Sequence, residues 1–233
     1  MISRKPAVSC PGDFGVEMSL DAARRSACAT RVVLLMSLML LGGLAGCRSK
    51  PKEAGPAPAS FRVRFATTKG DFTVLVHRDW SPRGADRFYE LAKMRFYDDN
   101  YFFRVLPGFI VQWGISGDPK VAKDWSVLTI SDDPPKESNK RGTVTFATAG
   151  ANSRTTQVFI NLNDNASLDN RGFTPFGEVS EGMSVVEHLY SGYGEGAPQG
   201  PGPDQNAITD IGNAYLEEHF PSLDRIKKTQ VLE

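Results

Sequence analysis

One arginine sits in an unusual place. Arg104 lies between Phe103 and Val105 in an apolar stretch, a poor setting for a solvated surface charge. A guanidinium carries five N–H donors in a fixed plane and does not lose its proton. It can stabilise charge by hydrogen bonding, but it cannot act as an acid or a base. Three motifs surround it. The first is Phe103-Arg104-Val105-Leu106-Pro107-Gly108-Phe109-Ile110-Val111-Gln112. The second is Phe146-Ala147-Thr148-Ala149-Gly150, running on through Asn152 to Gln157-Val158-Phe159-Ile160. The third is Leu168-Asp169 followed by Phe173-Thr174-Pro175-Phe176-Gly177. Taken singly these residues say little. A Phe at strand spacing is usually core, and a buried structural amide is a second, lesser reading of Gln112 and Gln157.

Rival chemistries are poorly supported. His77, His188 and His219 are widely spaced, with no metal-ligand pattern. Asp132-Asp133-Pro134-Pro135 is an acidic turn without the alternating oxygen ligands of a calcium loop. Gly192–Gly202 lacks the strand–turn–helix setting and the Lys of a phosphate loop. The three cysteines, at 10, 28 and 47, leave the rest of the chain without one. That excludes a disulfide scaffold or a cysteine zinc site there. No cofactor and no metal are implied.

The elements that must position these residues are mostly strands. Phe61–Ala66 and Phe72–His77 alternate apolar and polar residues about the turn Thr67-Thr68-Lys69-Gly70-Asp71, which predicts a hairpin. Ser81-Pro82 opens a helix whose Ala85, Phe88, Leu91 and Ala92 share a face. Short strands are expected at Phe102–Val105, Val111–Gly114, Gly142–Ala147, Gln157–Leu162 and Phe176–Val179. A second helix is expected over Met183–Tyr190, and a last strand at Ile226–Leu232. Many short strands with two helices suggest a mainly β fold closed as a barrel. Residues 191–222 begin as a Gly/Pro-rich loop and continue through a helical stretch at Asn213–Phe220. They read as an insertion before the last strand, too short to bury a core of their own.

With its three motifs in order, the stretch 61–190 resembles the cyclophilins, a family of peptidyl-prolyl cis–trans isomerases. The run from Phe102 to Phe109 is similar to the family's signature loop. The resemblance implies an eight-stranded closed antiparallel barrel capped by two α-helices. It implies isomerisation of X–Pro bonds in proline-containing peptide segments of unfolded or folding proteins. Arg104 becomes the catalytic candidate. Phe109, Ile110, Phe159 and Leu168 match the proline pocket, and Gln112 and Gln157 match the groups that orient peptide carbonyls. Ala147 and Thr148 match the track of the substrate backbone. Ala149 and the Ser153–Thr155 turn match the rim of a neighbouring pocket. Phe173 best matches a pocket position that is often His, across a loop one residue longer. Ser167 stands where many eukaryotic members carry Trp, which implies weak cyclosporin binding with isomerase activity kept. The rival class is a non-catalytic binding or chaperone module for proline-containing segments. The joint presence of Arg104, Phe109, Gln112 and Phe159 disfavours it, because a pure binder has no need of the arginine.

The N-terminal region reads as an address. Val32–Leu41 is an uncharged apolar run behind Arg24, Arg25 and Arg31, the pattern of an export signal. It is too short to span a bilayer core of ~30 Å. Leu44-Ala45-Gly46-Cys47 resembles the lipobox of bacterial lipoproteins, which implies cleavage before Cys47 and its lipidation. A start at Met1 or at Met18 gives a signal either way. The expected organisation is a signal over 1–46, a Pro/Ala-rich tether over 47–60 and an isomerase domain over 61–233. The expected location is the cell envelope, lipid-anchored, on the periplasmic face of the outer membrane in a diderm bacterium. The chain has 233 residues, with 27 basic against 27 acidic side chains. Loss of residues 1–46 leaves 22 basic against 24 acidic, so no bulk positive field grips nucleic acid. A monomer is expected.

Overall fold

The computed structural model describes residues 55–232. The expected export signal, the expected lipobox with Cys47 and residues 47–54 of the expected tether lie outside the described residues. Strand β1 (Ser60–Thr67) and strand β2 (Asp71–His77) form the expected hairpin, with Phe61↔Val76, Val63↔Val74 and Phe65↔Phe72 in register. Opposed residues share a face, so these six apolar side chains are buried together while Arg62 and Arg64 face solvent. The folded region starts a little before Phe61. Ala57 is buried, and its amide donates to Asp86 Oδ1 at 2.8 Å.

Helix α1 (Pro82–Lys93) buries the expected face, and Phe88 packs 4.8 Å from the Phe176 ring and 5.5 Å from Tyr97. Its cap differs from expectation. Ser81 holds the N-cap position, but its hydroxyl makes no capping bond and donates to Asp133 Oδ2 at 2.6 Å. The free amides of the first turn are met by the Asp133 carboxylate, from Arg83 at 3.1 Å and Gly84 at 3.0 Å. The acidic turn at 132–133 therefore supplies the cap that a local serine usually gives.

Beyond α1 come β3 (Arg104–Leu106), β4 (Ile110–Trp113), α2 (Pro119–Ser126), β5 (Thr143–Phe146) and β6 (Val158–Asn161). A 3-10 helix over Ala166–Arg171 follows, then β7 (Pro175–Glu181), α3 (Met183–Glu187), α4 (Gln205–Ile211), α5 (Asn213–His219) and β8 (Ile226–Leu232). Helices α1, α3 and α5 fall at the expected stretches, and α2 and α4 are additional to the two expected on the barrel and the one expected in the insertion. Helix α2 is set by Asp118, whose carboxylate accepts from the Lys120 amide at 2.8 Å, with Pro119 at the first helical position.

The eight strands pair antiparallel in the order β3-β4-β6-β5-β7-β2-β1-β8. The expected closed barrel is corrected here: the sheet is an open, curled half-barrel, with β3 and β8 at its two ends. Strand β3 has three residues, and the chain before it turns Tyr101 and Phe103 away into a second apolar cluster. Residues 98–102, just before β3, meet β8 and the residues leading into it along a short seam. Phe102 N–H donates to Asp224 O at 3.0 Å, Ile226 N–H to Asn100 O at 2.8 Å, and Asp99 N–H to Ile226 O at 2.9 Å. Thr229 N–H donates to Asp98 Oδ1 at 2.6 Å.

The main core lies inside the curl. Trp113 meets Phe65, Phe72 and Phe102 with rings roughly edge-on, and Phe146 lies 5.1 Å from Phe176. The inserted segment shares a second cluster, with Ile208 and Leu216 packed on Tyr101, Phe103, Ile115 and Ala122. It thus buries apolar surface that a stretch of its length could not bury alone. No helix among the described residues is long and apolar enough to cross a membrane.

Candidate functional site

The outer face of β3-β4-β6 carries the site. Arg104 opposes Gln112, and Gln112 opposes Phe159. Facing partners point the same way, so these three side chains form a row across three strands. One residue along each strand, Val105, Val111 and Ile160 point into the main core. The period-2 alternation of a strand therefore puts the arginine and its neighbours on one side and the scaffold on the other. The turn Leu106-Pro107-Gly108-Phe109 joins β3 to β4, closed by Phe109 N–H to Leu106 O at 2.9 Å. Pro at the second position and Gly108 at φ 73° meet the demands of a type II turn. The turn sets Phe109 beside Arg104, whose guanidinium carbon lies 5.9 Å from the ring centre.

A cleft of ≈ 520 Å³ opens over this face. Arg104, Phe109, Ile110, Gln112, Ala147, Thr148, Ala149, Gln157, Phe159, Leu168 and Phe173 all line it. The catalytic candidate and the pocket, carbonyl-orienting and backbone-track candidates of the sequence are thus brought to one place. Ile110, Phe159 and Leu168 are buried together, with Phe109, Ala147 and Phe173 packed against them. The Phe173 ring stands edge-on to Phe159, 5.7 Å away. This is a rigid apolar socket with polar groups on one wall. Gln112 Oε1 accepts from Arg104 Nη1 at 3.1 Å, and Gln112 Nε2 donates to Gln157 Oε1 at 2.8 Å. Ser167 is exposed and does not line the cleft.

Two buried polar networks hold the cleft walls. One begins at Arg154, whose side chain is about 2% exposed. Its Nη2 donates to Asp133 Oδ2 at 3.0 Å and also to Ser131 O, and its Nε faces the Asp132 carboxylate at 3.4 Å. This fixes the end of the loop that carries Thr148, Ala149 and Ser153. Within that loop the Ser153 hydroxyl accepts from Ala149 N–H at 2.9 Å and donates to Gly150 O at 2.7 Å. Burial pushes the Asp133 carboxyl up, but the bonds from Ser81, Gly84, Arg83 and Arg154 outweigh it and hold the group below the usual carboxylate range.

The other network centres on Asn139, which is fully buried. Its side-chain amide donates to Asp169 Oδ1 and to Phe173 O, both at 2.8 Å, and its oxygen accepts from Thr145 and Asn161. Asp169 accepts as well from Ser138 Oγ at 2.5 Å and from the Asn139 backbone at 2.9 Å. Burial raises the Asp169 carboxyl, and these bonds more than reverse the effect. Asp169 thereby fixes the 3-10 helix that places Leu168 in the socket, while Asn139 fixes Phe173.

Several residues that no sequence motif marks also contribute. Ser126, Arg171 and Gln205 also line the cleft. Glu195 grips Arg104 with two bonds, Nε to Oε1 at 2.6 Å and Nη2 to Oε2 at 2.7 Å. These bonds hold the Glu195 carboxyl below its ordinary range, against the opposing effect of burial. The Asp118-Pro119 pair was a usable signal for α2 and hence Ser126. A lone glutamate in a Gly/Pro-rich loop gave no signal. Among the described residues no group of three His, Cys, Asp or Glu side chains is arranged to hold a metal ion.

Comparison with known proteins identifies the family. Residues 62–211 match the family model described as "Cyclophilin type peptidyl-prolyl cis-trans isomerase/CLD". A peptidyl-prolyl cis-trans isomerase of Arabidopsis thaliana is 34% identical over 142 residues, 60% of this chain and 86% of the relative. Peptidyl-prolyl cis-trans isomerase B of Escherichia coli is 32% identical over 136 residues, 54% of this chain and 82% of the relative. A crystal structure of a Cryptosporidium parvum cyclophilin-type isomerase superposes with a TM-score of 0.55 at 20% identity, covering 75% of this chain and 98% of the other. The row of Arg104, Gln112 and Phe159 beside its apolar socket thus lies within a chain that belongs to the cyclophilin-type peptidyl-prolyl cis-trans isomerases.

Proposed function

We propose that this isomerase works on exported proteins at a membrane surface, with Arg104 as its catalytic residue. Rotation about an X–Pro bond meets a barrier of ~18–20 kcal/mol because the nitrogen lone pair is shared with the carbonyl, and it takes ~10–100 s unaided. When the bond twists, the nitrogen turns pyramidal and regains a lone pair that can accept a hydrogen bond. A guanidinium fixed beside the proline stabilises that state and not the planar one, so it speeds the reaction without a covalent intermediate. The proline ring enters the socket of Ile110, Phe159 and Leu168, walled by Phe109 and Phe173. Gln112 and Gln157 orient the carbonyls, and the chain runs past Ala147, Thr148 and Ala149. The observation that carries this reading is the guanidinium at the edge of that socket, in register with Phe159 across β4. Arg104→Ala is expected to slow isomerisation of a proline peptide on the order of 100-fold, the usual cost of removing one such donor. An unchanged rate would overturn the assignment.

The export signal and the Leu44–Cys47 lipobox support a lipid-anchored envelope protein whose domain hangs from a short Pro/Ala-rich tether. Cys47→Ser is expected to move the protein from the membrane pellet to the soluble fraction, and continued pelleting would refute the anchor. The exposed Ser167 supports weak cyclosporin binding.

A further inference from the structure

The inserted segment 191–222 reaches the site through one side chain. Glu195 holds the guanidinium of Arg104 by two parallel bonds, Nε–H to Oε1 at 2.6 Å and Nη2–H to Oε2 at 2.7 Å. The paired side chains are 21% and 35% exposed. Exposed ion pairs count for little, but bidentate pairs fix geometry. Glu195 is itself held. Gly196 N–H donates to its Oε1 at 2.9 Å, and Gly202 N–H donates to its carbonyl at 2.8 Å. A Cβ at Gly200 would stand 2.4 Å from that carbonyl oxygen, so the loop closes around Glu195 only with glycine there. The loop is anchored on both sides. Tyr193 packs on Tyr190 and Phe220, and Asp204 caps α4 through the Asn206 amide at 2.7 Å. From the same segment Gln205 joins the cleft lining.

The clamp leaves part of the guanidinium free. Of the five guanidinium N–H groups, Glu195 takes two and Gln112 takes one, so two remain to point at a substrate. Without Glu195, orientation falls to the single Gln112 bond at 3.1 Å and the Phe109 ring at 5.9 Å. A carboxylate also offsets the cation, so what it adds is direction and not charge.

We propose that the insertion is an accessory of the catalytic site, and that Glu195 is the positioning residue that aims Arg104 at the prolyl nitrogen. This rests on the isomerase mechanism above and deepens it. Misplacement of a reacting group by ~1 Å costs on the order of 100-fold, and Arg104 keeps partial guidance from Gln112. Glu195→Ala in the full chain is therefore expected to lower kcat about 10-fold with KM for a proline peptide within about twofold. Glu195→Gln, with one acceptor oxygen left, is expected to lose about 3-fold. In ¹⁵N-labelled protein the Arg104 Nε–H signal should shift and exchange faster in Glu195→Ala, which a purely structural role elsewhere would not produce. An unchanged kcat in Glu195→Ala overturns the positioning role, as does a loss confined to KM or a rise in rate. The two proposals fail separately. If Arg104→Ala matches wild type, the mechanism falls. If Arg104→Ala is impaired and Glu195→Ala is not, only the positioning role falls.

Discussion

Removing Asp133 should destabilise the whole domain, because one carboxylate serves both a helix and a buried cation. It accepts from Ser81, Arg83 and Gly84 at the start of α1 and from Arg154. Loss of an N-cap acceptor costs about 1 kcal/mol. Taking one partner from a buried ion pair costs about 3–5 kcal/mol, because the other charge is left without compensation. The lower end applies, since Asp132 stays 3.4 Å from Arg154 Nε and Ser131 O still accepts from Nη2. Asp133→Ala should therefore lose about 4 kcal/mol. For a domain of this size that lowers Tm by about 8–16 °C. Urea unfolding at pH 7 would show a lower midpoint with an unchanged slope. Asp133→Ala/Arg154→Leu should be more stable than Asp133→Ala alone, because the stranded guanidinium is gone. A Tm drop under about 3 °C for the single variant, or a double variant less stable than that single variant, would refute the reasoning.

Further expectations follow from the same networks. Asn139→Ala removes an amide whose donors and acceptor are all engaged, leaving Asp169, Phe173 O and Thr145 short of partners. A loss of about 2–3 kcal/mol is expected in urea unfolding, with kcat/KM falling as Leu168 and Phe173 loosen. Acid should weaken the fold in a defined direction. Asp86, Asp133 and Asp169 are all held below the ordinary carboxylate range, in each case by hydrogen bonds that outweigh the opposing effect of burial. Their contribution is complete above the unfolded value near 4 and is lost as pH falls through the lower folded values. A thermal melt series from pH 7 down to pH 2 checks this, and a flat Tm across that span would refute it.

The parts of this molecule set by local pattern were legible. The alternation in Phe61–Phe65 and Phe72–Val76 gave the hairpin, while Arg104, Gln112 and Phe159 were grouped by resemblance alone and their row across three strands is seen only in the register. Phe173 reached the cleft despite the longer loop before it. What stayed hidden depends on contacts between distant residues. Asp133 caps a helix 50 positions earlier, and Glu195 meets Arg104 across 91 positions. Neither has a sequence neighbour that marks it. Whether the sheet closes was hidden for a similar reason. Closure depends on how far β3 extends toward β8, and Tyr101 and Phe103 turn toward the insertion.

The seam between residues 98–102 and β8 bears on how this sheet keeps apart from other chains. An open sheet has free borders, and a free border invites another extended chain to add on as one more strand. An isomerase of peptidyl-prolyl bonds meets other extended chains in its work, so the hazard applies to it. Here the outer side of β8 is already occupied over its first half, where Ile226 and Thr229 donate to Asn100 and Asp98. Lys227 and Lys228 stand exposed on the same strand, and lysine on a border strand opposes annexation. The opposite border, β3, is three residues long, too short to template anything. The half-barrel is thus open in its pairing, with one border half covered and marked by lysine and the other too short to extend.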